Sequence, residues 1–217
     1  MAELLSSVFS LTVMRYALIV GVPVALCAAL LGVLLVLRRY SMIGDGLSHV
    51  GFGALSVAYA LHMAPMAVAV PVVILAAFLL LGLSGSRRLR GDSAIAVLSS
   101  SALALGVVAN SLAGGSATDL SGYLFGSILT LTRADVILSV SLSAVVILLF
   151  VLFKNRIFAV TFDEPFAKSA GVRVGLYNGL LALLIAVTVV VGMRIVGTML
   201  ISSLIIFPAL GAMQLAG

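Results

Sequence analysis

Apolar runs of about twenty residues recur along almost the whole chain between short polar breaks, and a helix of that length crosses a hydrocarbon core about 30 Å thick. The breaks predict spans at Tyr16 to Leu37, Met42 to Leu61, Met63 to Leu83, Ser93 to Ala113, Val136 to Phe153, Gly175 to Met193 and Ile195 to Leu215. A β-barrel would show shorter segments of alternating polarity. The pattern therefore predicts an all-α fold, a polytopic transmembrane helical bundle of about seven spans.

Two stretches break the pattern. From Gly114 to Asp135, "GGSATDLSGYLFGSILTLTRAD", an apolar centre lies between polar ends. That suits a short external or re-entrant helix, whose backbone must be buried in protein or line a cavity. From Lys154 to Gly175, "KNRIFAVTFDEPFAKSAGVRVG", Asp163 suits an N-cap, Glu164 and Pro165 a first turn, and Gly171 a stop after Lys168. A short amphipathic helix is expected there, at the membrane surface. The turn "LHMAP" is brief, and Pro65 suits a helix start, so the second and third spans should pack antiparallel.

Charge orients the bundle. Alternating the spans puts Arg38, Arg39, Arg87, Arg88, Arg90, Lys154, Arg156, Lys168 and Arg173 on one side, and only Arg15, Arg133 and Arg194 on the other. The positive-inside rule makes the first side cytoplasmic and places the N-terminus outside. The net charge of +5 therefore reports orientation, and no nucleic-acid partner is read from it. The chain is 63% hydrophobic and 9% charged, against about 25% charged in soluble domains, so no soluble domain is expected. "MAELLSSVFSLTV" has no basic start or small-residue cleavage site, which argues against a removable signal peptide. Cys27 is the only cysteine, so an intrachain disulfide or a paired-cysteine zinc site is excluded.

Candidate chemistry concentrates in "RRYSMIGDGLSHVGFG", residues 38 to 53. At about 100° per residue, Asp45, His49, Phe52 and Ser56 share one face of the second span, while Gly46, Gly53 and Ala60 mark another that suits close helix approach. His49 would lie about 10 Å inside the boundary, where an uncompensated ionisable group costs on the order of 3 kcal/mol. Three readings compete. Asp45 could cap the helix after a break at Gly44 and bond to His49. Ser48 and His49 could be imagined as a nucleophilic pair, but adjacent helical residues diverge by about 100°, and "GLSHVG" has one residue too many for a Gly-x-Ser-x-Gly elbow. Finally, a carboxylate and an imidazole at i and i+4 can converge on one cation. A two-fold homodimer would then supply two aspartates and two histidines, a donor set that zinc, manganese or ferrous iron accepts.

The other polar positions read more simply. His62 suits an interfacial turn; Asn110, Ser99 to Ser101, Ser202 and Ser203 suit interhelical hydrogen bonds; Asp119, Arg133 and Asp135 suit an external rim. Pro23, Pro71 and Pro208 suit bends within spans.

Four stretches in order, "GVLLVLRRYSMIGDGLSHVGFGAL", "GYLFGSILTLTRAD", "FAVTFDEPFAKSAGV" and "IVGTMLISSLIIFPALGA", resemble the permease family of ATP-binding-cassette importers for zinc, manganese and iron. The resemblance implies a multi-pass subunit of a bacterial-type plasma (inner) membrane, with no permanently bound cofactor and divalent metal as the transported substrate. It implies four kinds of partner: a second permease copy, cytoplasmic ATPase subunits, an extracytoplasmic metal-binding protein and the lipid bilayer. Asp45 and His49 match the family's intramembrane metal pair. "DEPFAKSAGV", including Asp163, Glu164, Pro165, Phe166, Ala167 and Gly171, matches its coupling helix. ATP hydrolysis is expected on a partner, since no Gly-x-x-x-x-Gly-Lys-Ser/Thr loop is present. Family members continue past "PALGA" with further hydrophobic helix, so residues 1–217 are expected to form one transmembrane domain without the family's last helix or helices. Without the resemblance, a proton-coupled carrier relaying protons through Asp45 and His49, or a non-transporting assembly subunit, remains open.

Overall fold

The computed structural model describes residues 12–38, 40, 42–84, 91–114, 122, 124–126 and 131–216. Among them eight α-helices follow one another: α1 Thr12–Leu37, α2 Met42–Ala60, α3 Pro65–Ser84, α4 Gly91–Leu112, α5 Arg133–Phe162, α6 Glu164–Ser169, α7 Val174–Val196 and α8 Thr198–Ala216. Seven of these are the predicted spans, and α6 is the predicted surface helix. By length and composition α1, α5, α7, α8 and the Ser93–Leu112 part of α4 are sufficient to cross a membrane; α3 has a shorter apolar stretch at Pro65–Leu80. Pro65 opens α3 as expected, and Pro23, Pro71 and Pro208 lie inside helices.

α5 is longer than the sequence predicts. Lys154, Asn155 and Arg156 read as the end of a span, but all three are exposed, whereas Ile157 and Val160 are buried. The polar residues occupy the outer side of a helix that continues to Phe162. Its inner face never loses its periodicity.

α7 is the most enclosed of the five membrane-crossing candidates, and it packs against α1, α2, α3, α5 and α8. α2 packs against α3, α4, α7 and α8. Small residues allow its closest approach, as expected: a Cβ on Gly53 would stand 2.6 Å from the Ala102 carbonyl oxygen, and one on Gly106 would stand 2.9 Å from the Gly53 Cα. Apolar attraction does little to join helices in lipid, so this backbone proximity is what brings dispersion contacts into range. The expected interhelical role of Ser99 and Ser101 is not observed. Both hydroxyls bond back to carbonyls of α4 itself, Ser99 to Ala96 and Ser101 to Val97 and Leu98.

The segment from Gly114 to Asp135 lies partly outside the described residues, as does Asp119. Residues 122 and 124–125 are helical. Gly126 packs on Gly197, the joint between α7 and α8; a Cβ on Gly126 would meet the Gly197 nitrogen at 2.5 Å. Gly197 has φ +93°, a conformation open to glycine, and a Cβ there would run into the Leu124 carbonyl. Met193, four residues earlier, packs on Gly51 midway along α2. Residues 124–126 are therefore seated against the joint between α7 and α8.

Polar clusters close the two ends. At one, Thr132 and Asp135 form a capping box at the start of α5, Arg194 donates to Asp135 Oδ2 at 2.9 Å, and Arg133 reaches the Tyr16 hydroxyl at 3.1 Å. At the other, Arg38 bonds to Thr161 and Asn178.

Two stability outcomes follow. Asp135→Ala removes a helix cap and strands the Arg194 guanidinium, so denaturant unfolding in detergent micelles should show a loss of about 2 kcal/mol; Arg194→Gln, which leaves the cap intact, should lose less. Gly53→Ala should destabilise by about 1–3 kcal/mol through overpacking, while Gly21→Ala, where a Cβ meets nothing within 4 Å, should be neutral or stabilising in the same assay.

Candidate metal site

The turn from α1 to α2 is tight. Tyr40 N–H donates to the Leu35 carbonyl at 2.9 Å, and Ile43 N–H donates to the Tyr40 carbonyl at 3.0 Å. α2 then runs unbroken through Gly44, so Asp45 lies in its first turn and is not the N-cap that one reading of the sequence allowed. Asp45 and His49 stand one helical turn apart, with Asp45 Oδ2 3.6 Å from His49 Nε2. That separation is too long for a direct hydrogen bond. It is close to the roughly 3.4 Å between two donors that each bind one tetrahedral cation at about 2.1 Å.

The surroundings aim the pair. The Ser202 hydroxyl of α8 donates to Asp45 Oδ1 at 3.1 Å, leaving Oδ2 on the histidine side. Ser48 is fully buried, and its hydroxyl donates to the Asp45 backbone carbonyl at 2.7 Å, which disposes of a nucleophilic role. Gly44 faces Ile205 of α8 and Gly46 faces Ile95 of α4. Successive helical residues turn by about 100°, so Asp45 points between those two neighbours. α4 and α8 both pack on α2 without comparable contact with each other, and the pair lies along the groove between them. The Asp45 side chain is 53% exposed and that of His49 16%. His49 Nδ1 is buried without a hydrogen-bond partner.

The predicted polar face is shorter than expected. Phe52 and Ser56 are both fully buried, with the Phe52 ring over Gly106 of α4. Asn110, expected to bond between helices, is buried with neither amide atom partnered. Cys27 is buried elsewhere, and its Sγ lies 3.5 Å from the Ser143 carbonyl. Among the described residues no cluster of three or more His, Cys, Asp or Glu side chains could hold a metal. One chain thus brings one carboxylate and one imidazole together, and Ser202, expected to bond between helices, does so from α8 to Asp45 of α2.

The second candidate surface is α6. Asp163 ends α5 and caps α6, its Oδ1 accepting from Phe166 N–H at 2.9 Å. After Ala170 the chain turns at Gly171, φ +79°, with Gly171 N–H donating to Lys168 and Val172 N–H donating to Ala167; this paired closure satisfies the last carbonyls of the helix. Ala167 is buried, while Glu164, Pro165 and Phe166 are exposed, Phe166 by 66%. The matched residues therefore divide into an anchoring side and a presented side. Arg38 bonds to Thr161, two residues before Asp163, so α6 and the Asp45/His49 turn lie at the same end of the bundle.

Comparison with known proteins agrees with this architecture. The sequence profile of the ABC 3 transport family matches residues 10–217. The chain is similar to the manganese import system permease protein ScaB of Streptococcus parasanguinis, 32% identical over 90% of this chain and 70% of the relative. It is also similar to a probable metal transport system membrane protein of Thermotoga maritima, 34% identical over 91% of this chain and 70% of the relative. Among solved structures, PsaBC from Streptococcus pneumoniae in complex with Fab superposes with a TM-score of 0.85 at 32% identity, covering 98% of this chain and 76% of that one. The chain is a multi-pass membrane protein, a transport component and not an enzyme, and it belongs to the ABC 3 transport family, the metal-importer permeases that its motifs resemble.

Proposed function

We propose that this chain is the permease subunit of an ATP-driven importer that carries a divalent transition metal, manganese first among them, through the interface of a homodimer. The observation that carries the reading is the incomplete donor set: a half-exposed carboxylate and an imidazole, 3.6 Å apart on a membrane helix, with no lysine or arginine salt bridge to Asp45 among the described residues. An ionised group in that setting costs on the order of 3 kcal/mol. A second copy facing the groove would double the donors to two aspartates and two histidines, and a divalent cation would offset their charge. The donor chemistry accepts zinc or ferrous iron as well; the manganese name of the relative ScaB favours manganese.

In this reading the α6 end is cytoplasmic and the N-terminus is outside, as the distribution of lysine and arginine favours. The assembly sits in a bacterial-type plasma membrane. An extracytoplasmic binding protein delivers metal to the opposite end. Metal pauses between the paired Asp45 and His49 side chains, with Ser202 orienting each carboxylate. Cytoplasmic ATPase subunits dock on α6 and drive the change that reopens the path inward. Transport needs affinity to differ between the two states.

Asp45→Asn and His49→Ala should each weaken manganese binding to the purified dimer by at least about ten-fold and abolish uptake into vesicles; unchanged uptake in correctly inserted protein would sink the assignment. Uptake that survives removal of the ATPase but collapses with a protonophore would instead support a proton-coupled carrier. For the docking surface, Phe166→Ala should weaken ATPase association by about 2 kcal/mol, as truncating an exposed aromatic anchor does, measured as ATPase retention on immobilised permease. Undiminished retention would remove α6 from that role.

A further inference from the structure

Arg38 does more than mark a membrane boundary. An orientation anchor extends toward water and headgroups. This guanidinium is half-buried, and it bonds to two other helices: Nη1 donates to Asn178 Oδ1 of α7 at 2.6 Å and Nε donates to Thr161 Oγ1 of α5 at 3.2 Å. Thr161 is held ready for it, since its hydroxyl proton goes to the Ile157 carbonyl at 2.8 Å and leaves the oxygen to accept. Burial lowers the Arg38 pKa from its usual value, and the nearby carboxylate of Glu164, the first residue of α6, favours the charged form.

The placement matters more than the bonds themselves. Thr161 lies two residues before the α6 cap, and Asn178 lies in the second turn of the helix that follows α6. Arg38 lies seven residues before Asp45, and the intervening turn is tied by the Tyr40 to Leu35 and Ile43 to Tyr40 bonds. The side chain therefore joins both flanks of α6 to the root of the helix that carries Asp45 and His49. Beneath that root is a small pocket of about 20 Å³, lined by Arg38 and Asn178 themselves together with Leu35, Ile43, Leu47 and Ile185.

We propose that the Arg38, Asn178 and Thr161 clasp is a positioning element that transmits displacement of α6 to the Asp45/His49 turn of α2. The proposal rests on the ATP-driven reading above. Changes along a packed network between two sites modulate their coupling by roughly 2- to 30-fold.

The test uses the full transporter, permease with its ATPase and binding protein, in sealed vesicles with manganese. Manganese bound to purified permease, ATP hydrolysed and metal delivered per ATP are measured together. Arg38→Gln and Asn178→Ala should leave manganese binding and ATP hydrolysis near the parent level while metal delivered per ATP falls about ten-fold. The double variant should be no worse than Arg38→Gln. Arg38→Lys keeps the charge but has no planar fork to span two acceptors, so it should resemble Arg38→Gln. Should Arg38→Gln fail to insert, Asn178→Ala and Thr161→Val each remove one acceptor and give the same readout. A delivery ratio unchanged in all variants, full recovery by Arg38→Lys, or a parallel fall of binding, hydrolysis and uptake would overturn the clasp. If the unmodified transporter takes up no metal with ATP, the ATP-driven reading falls and the clasp falls with it.

Discussion

Asp45 places a half-exposed carboxylate in a membrane helix with no lysine or arginine salt bridge among the described residues, and much of the bundle can be understood from the cost of that arrangement. The helix that carries it is long enough to cross a membrane but is not among the five that are also apolar enough, and it is packed by four neighbours. Enclosure replaces the apolar surface that α2 lacks. Glycines along it bring the backbone of α4 into contact and admit the Met193 side chain of α7 and the Ile205 side chain of α8, while Asp45 stays half-exposed beside His49. Ionisable side chains within membrane helices typically face the bundle interior or a water-filled cavity and pair with one another or with nearby polar groups, as Asp45 does with Ser202.

The rest of the chain keeps that helix in place by different means at different heights. Through the middle of the bundle the contacts are apolar and depend on shape, because lipid offers helices as much apolar contact as protein does. At the ends, short charge-assisted bonds lock particular pairs of helices. Arg194 ties the end of α7 to the cap of α5, and Arg38 ties the α1–α2 turn to α5 and α7. Bonds of this kind are directional, so they set orientation where dispersion alone would tolerate sliding. The 122–126 segment adds a third constraint by seating Gly126 on the Gly197 joint.

Much of this could be read along the chain. Run length and polar breaks located the seven long helices, because a helix in lipid must satisfy its backbone internally and span a set thickness. Asp163, Pro165 and Gly171 located α6, because capping depends on residues within one turn. The i, i+4 spacing put Asp45 beside His49 for the same reason. Local rules did not decide every boundary: Asp45 lies inside the first turn of α2 and does not cap it, and α5 runs past Lys154 to Phe162.

Tertiary structure decided the rest. Ser202 meets Asp45 from 157 residues away, Asn178 meets Arg38 from 140, and no periodicity links such positions. Phe52 and Ser56 share a helical face with Asp45, but α4 covers the upper part of that face and leaves the lower part open. Ser99 and Ser101 turned inward to their own helix because no neighbour offered a better acceptor there. The physical reason is common to all of these cases. Sequence determines which side chains lie together on one helix, through fixed backbone geometry; which helix faces them depends on close packing summed over the whole bundle.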